Sequence, residues 1–296
     1  MKIGKFKDSI FMFSELFRIR NVLIIFFGVI VSATFMYSAG ESFSMSSVIL
    51  AGISAALVTG AGNAINDYFD SEIDKINKPK RPIPSGRITK PDVGMLSIAL
   101  FLVGIGISKF INEYCLILAV LNSVILVLYA RYSKKLLLIS NLAISYLVTS
   151  IFLFGVAATI QEGFEFFDLK EIRIVMVITA CAFLMTFSRE IVKDIEDIEG
   201  DRREYAKTLP IVLGKDKAEK AAATLAAGAI LFSFLPFVIH PPAFSLFVYG
   251  VLILLADTIF FLSFTMHPAL GQRLMVIGMA VALVAFFLGS LMPKVI

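Results

Sequence analysis

Apolar runs of about 18–22 residues recur along the whole chain, each the length that crosses a hydrocarbon core as an α-helix. No other feature constrains the fold as much. In lipid every backbone N–H and C=O must be satisfied internally, and for separate apolar runs of this length that means helices. The composition agrees: of 296 residues, 58% are hydrophobic and 17% charged, with 28 Phe and no Trp. A soluble domain is about half apolar and a quarter charged. The chain reads as one all-α, multi-pass membrane domain over residues 1–296, with nine spans at roughly 20–38, 46–66, 91–109, 112–130, 140–160, 171–192, 218–239, 243–264 and 272–292. Residues 1–19 form an amphipathic N-terminal segment. Within it KFKDSIFMFSELFR (5–18) sets charges against a Phe/Ile/Met/Leu stripe at helical spacing, as an interfacial helix does.

The basic residues give a direction. With the N-terminus cytoplasmic, 23 of the 27 Lys and Arg fall on that side, leaving Lys109, Lys170, Arg173 and Lys294 opposite. That split obeys the positive-inside rule. It predicts a cell-membrane protein whose N-terminus and long loops are cytoplasmic and whose C-terminus is outside. The same rule absorbs the net charge of +4 without invoking nucleic acid. Cys115 and Cys181 lie in apolar segments and read as small hydrophobes, not as a disulfide or metal pair. A cleavable signal peptide is not expected, because the basic N-terminus lacks a compact apolar core followed by a small-residue cleavage site.

Two cytoplasmic loops are long, 67–90 and 193–217, and together they hold 11 of the 23 acidic residues. One begins at NDYFDSEIDK and the other at KDIEDIEGDR. Both carry DxxDxxxD: Asp67, Asp70 and Asp74 recur as Asp194, Asp197 and Asp201, each offset by 127 residues. Each motif follows a span ending on the same side and precedes basic residues and a Pro-containing stretch, RPIPSG or KTLP. The offset encloses four spans, an even number, so the halves run parallel and suggest an internally duplicated bundle.

Positions i, i+3 and i+7 share one helix face. If the second and sixth spans continue helically past the membrane, each presents a row of three carboxylates. Two such rows facing each other repel unless cations lie between them. Mg²⁺ prefers oxygen donors and typically takes one or two carboxylates together with substrate phosphates and water. Asn63 and Asn66 add neutral oxygens at a span end, and Lys78, Arg81, Arg189, Lys193, Arg202 and Arg203 are placed to neutralise phosphate charge. The bland alternative is two solvated loops whose acids pair with neighbouring Lys and Arg. It suits either loop alone better than the matched pair.

The stretches NDYFDSEIDKINKPKRPIPSGRI and REIVKDIEDIEGDRREYAKTLPI resemble the two signature loops of the UbiA superfamily of intramembrane prenyltransferases, NDxxDxxxD and DxxxD. RPIPSGR and REIVKDIEDIEGD are in the form carried by its archaeal ether-lipid-forming members. The resemblance covers the whole chain. It implies nine transmembrane helices around a central cavity, capped by the two loops. It implies Mg²⁺ held by Asn66, Asp70 and Asp74, with Asp67 close by, and by Asp194, Asp197 and Asp201 opposite. It further implies helpers at Arg18 and Asn21 in RIRN, Tyr129 and Lys134 in LYARYSKK, and Lys193, with Lys135 an equal competitor for Lys134. Asn141 matches a family Asn that usually follows Gly, where this chain has Ser140.

The implied reaction is Mg²⁺-dependent transfer of a prenyl group, geranylgeranyl in the ether-lipid branch, from its diphosphate to a lipid acceptor such as geranylgeranylglyceryl phosphate. Metal and basic side chains stabilise the departing diphosphate. An apolar cavity keeps the allylic cation from water, and Phe or Tyr faces can stabilise it in passing. An aromatic-acceptor enzyme of quinone or haem biosynthesis is the alternative. CDP-alcohol phosphotransferases also use Asp rows, but their DGxxAR pattern is absent. A cation-coupled transporter is more distant, because its charges belong near the midplane and these lie at one face. Asp257, in the middle of the eighth span, is a functional candidate by position, with a structural role as the alternative. His240 and His267 flank Pro at span ends and read as structural. Gly60 and Gly62 read as packing positions.

Overall fold

The computed structural model of the protein describes residues 2–38, 44–132, 138–160, 172–203, 207–241 and 244–291. Helix α1 (Lys2–Leu16) precedes α2 (Ile19–Ser38), α3 (Met45–Phe69), α4 (Ser71–Asn77), α5 (Lys90–Lys109) and α6 (Glu113–Tyr132). Then come α7 (Ile139–Ala157), α8 (Ile172–Glu196), α9 (Ile198–Arg203) and α10 (Leu209–Leu213). The chain continues as α11 (Lys215–Ser233), α12 (Leu235–Ile239), α13 (Leu246–Ser263) and α14 (Pro268–Leu291). Among the described residues, nine helical segments are long and apolar enough to cross a membrane, and they match the nine predicted spans to within a few residues. The seventh is α11 and α12 taken together. It breaks at Phe234 because Pro236, in the first turn of α12, has no N–H to donate and its ring crowds the preceding turn.

The duplication is visible in the helices themselves. Helices α3 and α8 are both 25 residues long, and their ends are related by the 127-residue offset of the motifs. Both give way at the middle Asp of the motif, Asp70 or Asp197, and resume as a short helix, α4 or α9. Neighbours correspond as well: α3 packs on α2 and α5 as α8 packs on α7 and α11. Helix α2 lies against α7 across the join, and α14 closes the bundle against α13, α8 and α2.

Small residues set the spacing, since apolar side chains gain nothing from leaving lipid and close backbone approach supplies the attraction instead. Ser54 Oγ donates to the Gly104 carbonyl at 2.7 Å and Ser97 Oγ to that of Ala61 at 2.8 Å, tying α3 to α5. Ser188, the counterpart of Ala61, donates to the Ala222 carbonyl at 2.7 Å and ties α8 to α11. Between α2 and α7, Ser32 Oγ donates to the Phe152 carbonyl at 2.6 Å. A Cβ on nearby Gly155 would stand 2.4 Å from the Val29 carbonyl oxygen, so only Gly fits.

Helix α1 leaves Ile10, Phe11 and Phe13 exposed, as an interfacial helix does, and buries Leu16 fully. Arg18 takes a left-handed conformation, φ 51°, which turns the chain from α1 into α2. Asn63 Nδ2 donates to the Phe17 carbonyl at 2.8 Å and pins that turn to α3.

Candidate active site

The first acidic row gathers where α1, α3, α4 and the 78–90 turn meet. Asp67 and Asp74 are both 4% exposed, and Arg81 joins them. Its Nη1 donates to Asp67 Oδ1 at 3.1 Å and to Asp74 Oδ2 at 2.5 Å. Arg18 Nη2 donates to the same Asp67 oxygen at 3.0 Å. Arg81, expected from the sequence to face phosphate, is thus an internal counter-ion of the row. Asn66 Nδ2 donates to Asp70 Oδ2 at 2.9 Å, which leaves the Asn66 amide oxygen as a neutral donor beside a half-exposed carboxylate. The predicted uninterrupted row is broken at its middle residue. The register survives, because Asp74 N–H still bonds the Asp70 carbonyl at 2.9 Å, but Asp74 belongs to α4 and turns inward to Arg81. Lys75 pairs with Glu72 at 2.8 Å and holds that exposed carboxyl below its usual range, while Lys78 is exposed.

In the second row, Asn141 at the start of α7 donates through Nδ2 to Asp194 Oδ2 at 2.8 Å. Asp197 is exposed and Asp201 half-buried. One turn below Asp194, Glu190 is 9% exposed. Arg189 Nη1 donates to it at 2.7 Å, and Lys193 Nζ lies 3.5 Å away. Glu190 stands outside the DxxDxxxD pattern, and the sequence reading gave it no role. Its signal was its 127-residue offset from Asn63.

Tyr129, on α6, lies within Coulombic range of Lys193 and Glu190 from one half and of Arg18 and Asp70 from the other. The two rows therefore share one end of the bundle with a common phenol between them. Below the first row, α2, α3, α6 and α7 enclose a mostly apolar cavity of about 290 Å³. Asn21 and Asn63 stand at its acidic end, and Ala55, Ala119 and Phe154 lie deeper. Asn122 also lines it, donating to Ser150 Oγ at 3.1 Å while its own amide oxygen is buried without a partner among the described residues. A larger cleft of about 450 Å³, on the other side of α8, is lined by Val192, Ile195, Asp216 and Lys220 and takes in none of the predicted site residues.

The remaining sequence candidates are not in this chamber or cannot be placed in it. Lys134 and Lys135 lie outside the described residues, as does the side chain of Arg203, and Arg202 is exposed. Asp257 is buried between α11 and α13 and accepts from Ser233 Oγ at 2.9 Å, which is a structural placement. His240 and His267 cap helix ends through backbone contacts. A Cβ on Gly62 would meet the Leu126 side chain at 2.7 Å, so that glycine serves α3–α6 packing.

Among the described residues no three His, Cys, Asp or Glu side chains converge as a ready metal cage. The donor chemistry still fits Mg²⁺. Every candidate ligand is a hard oxygen, and this ion takes one or two carboxylates at a time with phosphate and water completing its shell.

The profile of the UbiA prenyltransferase family matches residues 25–267. The chain belongs to that family. Digeranylgeranylglyceryl phosphate synthase of Methanothrix thermoacetophila is 40% identical over 267 residues, covering 88% of this chain and 91% of that protein. The enzyme of the same name from Methanosarcina barkeri is 39% identical over 297 residues, covering 95% and 99%. A solved structure described as digeranylgeranylglyceryl phosphate synthase in membranes superposes with a TM-score of 0.81 at 33% identity, over 96% of this chain and 99% of that one. A UbiA homolog from Archaeoglobus fulgidus bound to DMAPP and Mg²⁺ shares the fold, with a TM-score of 0.67 at 18% identity over 93% and 98%. The chain is therefore a multi-pass membrane prenyltransferase.

Proposed function

We propose that this prenyltransferase moves a geranylgeranyl group from its diphosphate to the free hydroxyl of geranylgeranylglyceryl phosphate, forming the second ether bond of an archaeal-type lipid, with Mg²⁺ as cofactor. The observation that carries the choice of acceptor is the likeness of about 40% across nearly the whole chain to enzymes named for that product. The facing acidic rows above an apolar cavity suit the chemistry whichever acceptor is used.

In this reading Asn66, Asp70 and Asp74 hold metal on one side and Asp194, Asp197 and Asp201 on the other, with Asp67 and Arg81 keeping the first row in shape. Mg²⁺ held by these residues would supply the charge neutralisation that lets a diphosphate leave with the electron pair of its C–O bond. Arg18, Lys78, Arg189 and Lys193 supply the rest of the positive field, and Tyr129 bridges the two halves. Lys134 is assigned to the same task on the resemblance alone. Asn21 and Asn63 border the channel between the charged rows and the cavity, whose apolar wall shields the allylic carbon from water. The rows and the N-terminus face the cytoplasm, with loops 67–90 and 193–217 as the cap of a single domain.

The test is purified protein in lipid nanodiscs with geranylgeranyl diphosphate, geranylgeranylglyceryl phosphate and Mg²⁺, read by mass spectrometry for the diether. Turnover with a hydroxybenzoate or naphthoate and none with the glycerophosphate would reverse the assignment. Orientation is read by placing a cysteine at Lys78 or Asn112 and labelling intact cells with a membrane-impermeant thiol reagent. Only the Asn112 position should react.

A further inference from the structure

We infer that Glu190 is the group that takes the proton from the acceptor hydroxyl as the ether bond forms. The inference rests on the prenyl-transfer reading above and adds a residue to it. Four observations support the assignment. It lies one helical turn, about 5 Å, below Asp194 on α8. It is the 127-residue counterpart of Asn63, which borders the apolar cavity at the same depth on α3. It is 9% exposed, so water does not compete freely for its carboxylate. Tyr129, which spans the two halves, feels its charge. A diphosphate held between the rows puts the first carbon of its chain about one turn below them, at the level of Glu190.

Polar groups beside Glu190 are left unsatisfied. Arg189 Nε and Thr186 Oγ1 are buried without a hydrogen-bond partner among the described residues. Other threonines in these spans, Thr149 and Thr179, donate to the carbonyl four residues back, so the orphaned hydroxyl of Thr186 is a departure. Thr186, Glu190 and Lys193 follow each other at i, i+4 and i+7 on one face of α8. The charged and titratable groups around Glu190 are Arg189, Lys193, Tyr129 and Asp194. The two cations hold the carboxylate in place, Arg189 through a hydrogen bond and Lys193 as an ion-pair partner.

The C–O bond to diphosphate breaks and its electron pair leaves on diphosphate. A lone pair of the acceptor hydroxyl forms the new C–O bond, giving a protonated ether. That proton passes to a Glu190 oxygen and then to the departing diphosphate, which restores the carboxylate. A protonated ether is a very strong acid, so position and not an elevated pKa is what the base requires.

The test separates ionisation from ether formation, using intact protein in nanodiscs with Mg²⁺. Ionisation is read without acceptor, as scrambling of ¹⁸O from the bridging to the non-bridging positions of geranylgeranyl diphosphate. Ether formation is read with the acceptor added. Glu190→Gln should lower ether formation about 100-fold or more and leave scrambling within about threefold of wild type. A parallel fall of both rates would make Glu190 a positioning residue for Arg189 and Lys193, and unchanged ether formation would also overturn the proposal. If the Gln variant loses the thermal shift induced by substrate and Mg²⁺, Glu190→Asp replaces it. That variant keeps the charge but withdraws the carboxylate by one methylene, so ether formation should slow about tenfold with scrambling intact, and a coupled loss counts against the base role. If wild type scrambles label but makes no diether, the acceptor assignment has failed instead.

Discussion

Asp70 and Asp197 hold the same place in the two halves of the bundle: each is the residue at which a 25-residue membrane helix gives way to a short one. At both, the N–H still bonds four residues back, to Asn66 at 2.9 Å and to Lys193 at 3.0 Å, so the break leaves the carboxylates in helical register. Each is more exposed than the first Asp of its motif, as a metal-facing carboxylate must be. Asp70→Ala and Asp197→Ala should each lower diether formation about 100-fold or more, a loss of at least about 2.8 kcal/mol of leaving-group stabilisation at about 1.4 kcal/mol per tenfold. Rates measured across a Mg²⁺ titration check this, and wild-type turnover in either variant would refute the metal assignment.

Removing the Arg81 side chain should destabilise the protein more than it disturbs the chemistry directly. Among the described residues, Asp74 would lose the one cation bonded to it while remaining 4% exposed, and Asp67 would keep only Arg18. An uncompensated buried charge costs about 3 kcal/mol at the low end of its range. Arg81→Ala should therefore unfold at lower temperature in detergent, and Mg²⁺ should restore more of that loss than it adds to wild type, because a divalent cation can take the place of the guanidinium. Equal Mg²⁺ shifts in the two proteins would argue against it.

Asn141→Ala tests how Asp194 is aimed. The amide donates to that carboxylate at 2.8 Å, and a hydrogen bond to a charged group contributes about 1.5–3 kcal/mol. Activity should fall about 10- to 100-fold, with the half-saturating Mg²⁺ concentration raised. A drop in rate with unchanged Mg²⁺ dependence would mean that Asn141 contacts substrate instead.

Gly155→Val bears on the bundle and not on the site. A Cβ there meets the Val29 carbonyl oxygen and the Ser32 side chain, neither of which can swing away without parting α2 from α7. Overpacking of this kind costs about 1–3 kcal/mol. Lower yield of folded protein and a reduced unfolding temperature are expected, readable by size-exclusion chromatography after mild heating.

The sequence by itself determined the class of fold, because an apolar run of span length has one backbone solution in lipid. It determined the duplication too, because an offset of 127 residues in the motifs is a property of the chain that the helices α3 and α8 then reproduce from end to end. What lay beyond it was decided by contacts between elements distant in the chain. That Arg81 turns back onto Asp67 and Asp74 depends on how the 78–90 turn folds over α3. That Asn63 spends its amide on Phe17 depends on the left-handed turn at Arg18. Glu190 looked like one more charge in REIVKDIEDIEGD, because a linear pattern cannot say which carboxylate is buried. Burial on α8 between Arg189 and Lys193, facing Tyr129 from the other half, separates it from the rest. Spacing fixes which face of a helix a residue occupies, but only packing fixes what that face meets.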